Sequence, residues 1–203
     1  MRTLWLASSS PRRKQLLQEA GFNPTCISSC LDDDQLRFTE QSVLGICAAR
    51  AWFKALGVHR NLLEQDDTEL GSRGILLAAD TMCELDGKVL GKPGNRSEAE
   101  QMLTALIGSS HRTITGVALL DRDSMSRSIW CDVADVSMGS LDGHLLEKYL
   151  DSPEWQGKSG GYNLADRVAA GWPVSCVGDP STVMGLPIRR LRPQLERLLN
   201  GGP

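Results

Sequence analysis

Ile75, Leu76, Leu77, Ala78 and Ala79 follow one another without a polar interruption and lead directly into Asp80 and Thr81. A half-wet strand would alternate apolar and polar residues, so an unbroken run of this length reads as a buried strand, Gly74 to Thr81. Its carboxylate would emerge at the strand's end, where open α/β sheets place their ligands. A charge there needs a partner. Asp86-Gly87 after Leu85 is a two-residue hairpin signal, and Gly91-Lys92-Pro93 follows it. That order could return Lys92 beside Asp80 or place it on a phosphate. Taken alone, the same residues also fit a turn cap at Asp80 and a solvated lysine at position 92.

The neighbouring segments alternate in type. Leu4 to Ala7 reads as a short strand, and Ser8-Ser9-Ser10-Pro11 as a tight loop before a helix over Arg12 to Ala20. Ser10 suits the N-cap, Pro11 the first helical position and Gly21 the stop. Gly45 to Leu56 is helical in composition. Ser97 to Leu106 reads as a helix capped by Ser97, with Glu100 at the capping-box position and Ala99, Met102, Leu103 and Leu106 on one face. Thr113 to Leu120 and Ile129 to Met138 are β-like and joined by a polar turn. Helices over Leu141 to Leu150 and Leu191 to Leu199 close the chain. Alternating strands and helices with adjacent strand pairs predict an α/β fold, a mixed twisted sheet flanked by helices.

The chain has 203 residues, 41% hydrophobic and 23% charged, which suits a single domain over 1–203. A net charge of −3 offers no global positive field for a polymeric nucleic acid. Neither a secretory apolar region nor a run of about 20 apolar residues stands out, so a cytoplasmic protein without membrane association is expected. Cys26, Cys30, Cys47, Cys83, Cys131 and Cys176 form no C-x-x-C pair and read as buried thiols, not as a disulfide framework.

Several groups could do chemistry. Ser8 to Arg13 gathers hydroxyls, free amides, a helix N-terminus and two guanidiniums, a combination that favours a phosphate group. A capped surface helix with solvated arginines fits equally. Asp32, Asp33 and Asp34 read as a solvated loop or as carboxylates for Mg²⁺, which takes one or two of them with substrate phosphate oxygens. Lys54 reads as a surface lysine on its helix. Lys158-Ser159-Gly160-Gly161-Tyr162 is a plain turn or a flexible stretch that lets the chain approach a ligand and stack Tyr162 on a base.

Together these segments resemble the Maf family of nucleotide pyrophosphatases over almost the whole chain. Ser8-Ser9-Ser10-Pro11-Arg12-Arg13 is similar to its S-x-S-P-R-R motif, Ala51-x-x-Lys54-Ala55 to its A-x-x-K-A helix and Ala79-Asp80-Thr81 to its A-D-T. Leu85-Asp86-Gly87 through Gly91-Lys92-Pro93 is similar to its hairpin and lysine. Met102-Leu103, Leu106, Gly108, His111, Thr115-Gly116-Val117, Lys158 to Tyr162 and Val183 to Pro187 follow in the family's order.

The resemblance implies two lobes around a deep cleft, related to the inosine triphosphate pyrophosphatases, and commonly a homodimer. It also implies cleavage of a nucleoside triphosphate between the α and β phosphates, dependent on Mg²⁺ or Mn²⁺. Asp80 aligns with the base that activates water. Arg13, Lys54 and Lys92 would hold the phosphate chain, with Ser8 and Ser10 in the cradle. Asp33 and Asp34 with Asp80 would hold the metal. Gly160, Tyr162 and Ala165 would belong with Arg12 and Thr81 to the substrate-binding set. Arg12 and Thr81 side with the subgroup acting on dTTP and UTP, so these or a modified pyrimidine nucleotide are the favoured substrates. In that subgroup the residues after the Tyr run G-I-Q-G, whereas here they are Asn163-Leu164-Ala165-Asp166, so the base-reading glutamine falls on Ala165. 7-Methyl-GTP or another purine nucleotide stays open as substrate, as does a nucleotide-binding regulator of cell division with little turnover.

Overall fold

The computed structural model describes residues 2–29, 42–64 and 74–201. Strand β1 (Thr3–Ala7) leads into helix α1 (Pro11–Glu19) and β2 (Thr25–Ile27), and helix α2 (Val43–Glu64) precedes β3 (Gly74–Leu85). A tight turn then gives β4 (Lys88–Leu90), α3 (Arg96–Leu106), β5 (Ser109–Asp121) and β6 (Arg127–Met138). Helix α4 (Gly143–Leu150), a 3₁₀ turn (Ser159–Gly161), α5 (Leu164–Ala169), β7 (Val174–Val177), α6 (Pro180–Val183) and α7 (Ile188–Leu199) complete the order.

The strands form one mixed seven-stranded sheet in the order β2-β1-β3-β5-β6-β7, with β4 on β3. β1 runs parallel to β2 and β3, and the remaining pairs are antiparallel. The apolar run of β3 has the covering its composition requires. Ile75, Leu77 and Ala79 pack with Leu16 and Leu17 of α1 and with Leu191 and Leu195 of α7. Leu76 and Ala78 pack with Ala51, Ala55, Val58 and Leu62 of α2 on the opposite face. Each fully buried leucine or isoleucine here contributes about 1.5–3 kcal/mol relative to exposure.

Asp80 does not end its strand: β3 runs on to Leu85, and Asp80 lies opposite Gly116 of β5. What ends there is the neighbour. β1 pairs with β3 as far as Leu6 opposite Leu77, and β4 takes up the same edge only at Leu90 opposite Cys83. Between them, Ala78 to Met82 has no strand on this edge among the described residues, while β5 pairs with it on the other. The hairpin signal is realised: Leu85 pairs with Lys88, and Asp86 and Gly87 adopt φ of 49° and 78°, which the glycine accommodates without strain.

Ser10 caps α1 and Pro11 is its first residue, as expected. Helix α3 starts earlier than its apolar face suggests. Asn95 caps it, accepting from the Glu98 amide at 2.9 Å, and Glu98 reaches back to the Gly94 amide at 2.8 Å. Asn95 and Glu98 therefore do what Ser97 and Glu100 were expected to do, because a pair with the same three-residue spacing lies upstream. Helix α2 extends well beyond Gly45 to Leu56, and α4 and α7 start at Gly143 and Ile188. Cys47 and Cys83 are buried free thiols, but Cys26 is exposed and Cys131 and Cys176 are half-buried, so the uniform burial expected of them does not hold. Cys30 lies outside the described residues. No described helix is long and apolar enough to cross a membrane.

Candidate active site

A cavity of about 920 Å³ opens along the bare edge of β3. Side chains alternate across a strand, so Asp80 follows Leu76 and Ala78 toward α2, while Thr81 follows Ala79 toward α1. The cavity reaches both because no strand stands between them and the loop after β1.

Asp80 is 6% exposed. Lys54 of α2 donates to its Oδ1 at 2.5 Å. Its Oδ2 is buried and has no hydrogen-bond partner among the described residues. A buried anionic oxygen without a donor is costly, so this atom is poised for a water molecule or a cation in the cavity. The height of α2 above the sheet is set nearby. A Cβ on Gly116 would stand 2.4 Å from the Cys47 carbonyl oxygen, so only glycine lets the helix approach this closely. Cys47 then donates its thiol to the Asp80 carbonyl at 3.0 Å. Burial pushes that thiol up to about 12, which keeps it neutral and excludes it as a nucleophile at ordinary pH.

On the other face Arg13 is held at three points. Its Nε donates to the Gly185 carbonyl at 3.0 Å, Nη1 to Ser8 Oγ at 3.2 Å and Nη2 to Thr81 Oγ1 at 3.2 Å. The Ser8 amide donates to Leu6 O and the Ser10 amide to Ser8 Oγ, so these two amides are spent on holding the loop and do not project into the cavity. Ser10 Oγ accepts from the Arg13 amide at 3.4 Å. Arg12 pairs with Asp166 of α5 at 3.0 Å.

Ser8, Ser10, Arg12, Arg13, Lys54, Asp80, Thr81, Lys92 and Tyr162 all line the cavity, together with Arg50, Lys158 and Asn163. Gly160 and Ala165 do not. Gly160 is packed beneath, where a Cβ would meet Cys83 Sγ at 3.1 Å, and Ala165 is half-buried on α5. Tyr162 is no open stacking platform: it is 7% exposed and its hydroxyl lies 2.6 Å from Nε2 of the buried His111. Burial holds the His111 imidazole down at about 4 and pushes the Tyr162 phenol up, so both are neutral over the ordinary pH range. Asp33 and Asp34, with Asp32, lie outside the described residues. Among the described residues no cluster of three or more His, Cys, Asp or Glu side chains could hold a metal.

Arg50 was not singled out by sequence reasoning. It stands one turn before Lys54 on α2, and that four-residue spacing from a suspected ligand was the available signal. The lining cations Arg12, Arg13, Arg50, Lys54, Lys92 and Lys158 surround one carboxylate, Asp80, among the described lining residues. A chain of net charge −3 thus concentrates positive charge in one concave place, which suits a compact polyanion.

Residues 3–198 match the Maf-like protein family. The chain is 34% identical over 198 residues to a dTTP/UTP pyrophosphatase of Pelotomaculum thermopropionicum, covering 97% of both chains. It is 36% identical over 197 residues to a dTTP/UTP pyrophosphatase of Bordetella avium, covering 96% of this chain and 94% of that one. A dTTP/UTP pyrophosphatase of Pyrococcus furiosus is 32% identical over 188 residues, covering 93% and 91%.

Proposed function

The chain belongs to the Maf family, and on that premise we propose that it hydrolyses dTTP or UTP to the monophosphate and pyrophosphate. One observation carries the reading: a cation-lined cavity contains a single described carboxylate, with one oxygen engaged by Lys54 and the other without a partner. The cations match a triphosphate chain, and relatives named for dTTP and UTP cover nearly the full length.

In this reading Arg13, Lys54 and Lys92 bind the phosphate chain, bidentate guanidinium contacts fixing its orientation. Water attacks the α-phosphorus, the bond to the bridging oxygen breaks and pyrophosphate leaves. Asp80 Oδ2 takes the proton of the attacking water. Lys54 keeps Oδ1 engaged, so the carboxylate meets the water through one defined atom. The orphaned Oδ2 also fits a divalent cation, with Asp33 and Asp34 as further candidate ligands. When bound, Mg²⁺ or Mn²⁺ would polarise the water and neutralise charge on the departing pyrophosphate. Assembly as a homodimer belongs to the same proposal, on the family resemblance alone.

The test is pyrophosphate release from dTTP, UTP, dCTP and 7-methyl-GTP with Mg²⁺. Release from dTTP or UTP ahead of the others is expected. Release from 7-methyl-GTP alone would move the chain to the other subgroup, and release from none would sink the enzymatic reading in favour of a nucleotide-binding regulator.

A further inference from the structure

Thr81 Oγ1 lies 3.2 Å from Arg13 Nη2 on one side and 2.9 Å from Thr115 Oγ1 on the other. Thr115 is fully buried and does not line the cavity, and its hydroxyl stands 2.7 Å from the Thr182 backbone carbonyl oxygen. Counting protons fixes the direction of the row. A carbonyl cannot donate, so the single Thr115 proton goes to Thr182. The contact between Thr81 and Thr115 then needs the Thr81 proton. Thr81 is left with lone pairs alone for the guanidinium. The row therefore runs from Arg13 to Thr81 to Thr115 to the Thr182 carbonyl, each hydroxyl proton used once.

The far end is anchored. Thr182, itself fully buried, donates its hydroxyl to Asp132 Oδ2 at 2.6 Å, and its amide donates to the Asp179 carbonyl at 2.9 Å. Asp132 sits directly opposite Thr115 in the β5–β6 register. The same segment meets Arg13 a second time through the Gly185 carbonyl, and Gly185 has φ of 108°, with an added Cβ only 3.2 Å from Arg13 Nε. Two contacts from this one segment, one direct and one through the two threonines, thus hold the guanidinium.

We propose that Thr115 is a positioning residue. Through Thr81 it aims Arg13 at the phosphate chain without touching the ligand. It also commits the Thr81 hydroxyl to accepting from Arg13, so Thr81 does not donate to a base carbonyl. The proposal rests on reading the cavity as a triphosphate site.

The test uses the full chain, with inorganic tripolyphosphate as probe in calorimetric titrations that need no turnover. Thr115→Val is expected to weaken binding about tenfold, the scale of one misplaced charge-assisted hydrogen bond. Thr115→Ser, which restores the hydroxyl, should come within about twofold of the parent. In an Arg13→Ala background Thr115→Val should add almost nothing, because the two act as one unit. Unchanged affinity in Thr115→Val, or a loss that multiplies in full onto Arg13→Ala, overturns the proposal. So does a parent protein that binds no tripolyphosphate. Should Thr115→Val not fold, Thr81→Val cuts the row at its other joint and must show the same coupling. Tripolyphosphate binding with no turnover of dTTP or UTP would overturn the pyrophosphatase reading and leave this proposal standing.

Discussion

The two flanks of the cavity are built on opposite plans. On the flank formed by Ser8 to Arg13, α2 and β3, polar side chains converge on one another from separate elements: Lys54 on Asp80, Arg13 on Ser8 and Thr81. On the flank formed by Ser159 to Ala169, the aromatic and basic side chains are engaged with the core, while Asn163 lines the cavity and Asp166 reaches Arg12. Tyr162 is tied to His111, Tyr149 donates to the Gly161 carbonyl at 2.9 Å, and Arg167 lies over the rings of Tyr149 and Trp172. The first flank directs its polar groups toward the cavity, and the second spends most of its polar groups on contacts of its own. Substitutions should accordingly affect turnover on one side, and stability or selectivity on the other.

The sharpest break is at Asp80. Asp80→Asn should lower kcat for dTTP or UTP by about a thousandfold, the middle of the range for a positioned base. Tripolyphosphate binding should be retained, while the melting temperature of the empty protein falls because Lys54 loses its buried carboxylate. Steady-state kinetics beside a thermal melt separate these outcomes, and near-parental kcat would remove Asp80 from the chemistry.

On the second flank the largest effect is on folding. The His111 imidazole is held down at about 4 from an ordinary 6.5 by burial. The unfolded chain therefore binds the proton more readily between those values, and stability falls as pH drops from 6.5 toward 4. The loss amounts to about 3 kcal/mol, roughly a hundredfold in the folding equilibrium. Urea midpoints at pH 6.5 and pH 4.5 should differ in the parent, and the difference should shrink in His111→Gln. An equal difference in both would detach the histidine from acid sensitivity.

Smaller effects refine the boundary between the flanks. Lys92→Ala should raise KM for the triphosphate about tenfold or more, as loss of one charged phosphate contact does, with the fold unaltered by circular dichroism. Ala165→Gln combined with Asp166→Gly should alter the ratio of dTTP to dCTP turnover by about threefold. Asp166 now pairs with Arg12, so this double change also frees a cavity arginine. A ratio unmoved by it would show that base choice resides elsewhere.

Much of the first flank was legible in the sequence because its signals are local. Ser10 and Pro11 mark a helix start whatever surrounds them, and Asp86-Gly87 sets its own turn. The apolar run of β3 announces double-sided burial without naming what covers it. Where β1 stops beside β3 depends on pairing between segments distant in the chain, so Asp80 read as the end of a strand when it is the residue beside a missing one. The second flank hid for a similar reason. Gly160 and Tyr162 are chemically apt for a ligand, and only the positions of Cys83 and His111 show that Gly160 packs beneath the cavity and that the Tyr162 hydroxyl is turned to the interior although the ring still lines the wall.

The crowding of Arg12, Arg13, Arg50, Lys54, Lys92 and Lys158 around Asp80 also bears on the protein when it holds nothing. Like charges drawn into one hollow repel one another, and folding has to work against that repulsion. A polyanion entering the hollow removes it and binds only the folded chain, so occupancy and folding are thermodynamically linked. Phosphate buffer or raised ionic strength should act as a weak substitute, by occupancy in the first case and by screening in the second. The resting enzyme is in this sense destabilised by its own charge, and its melting point is a gauge of what the cavity contains.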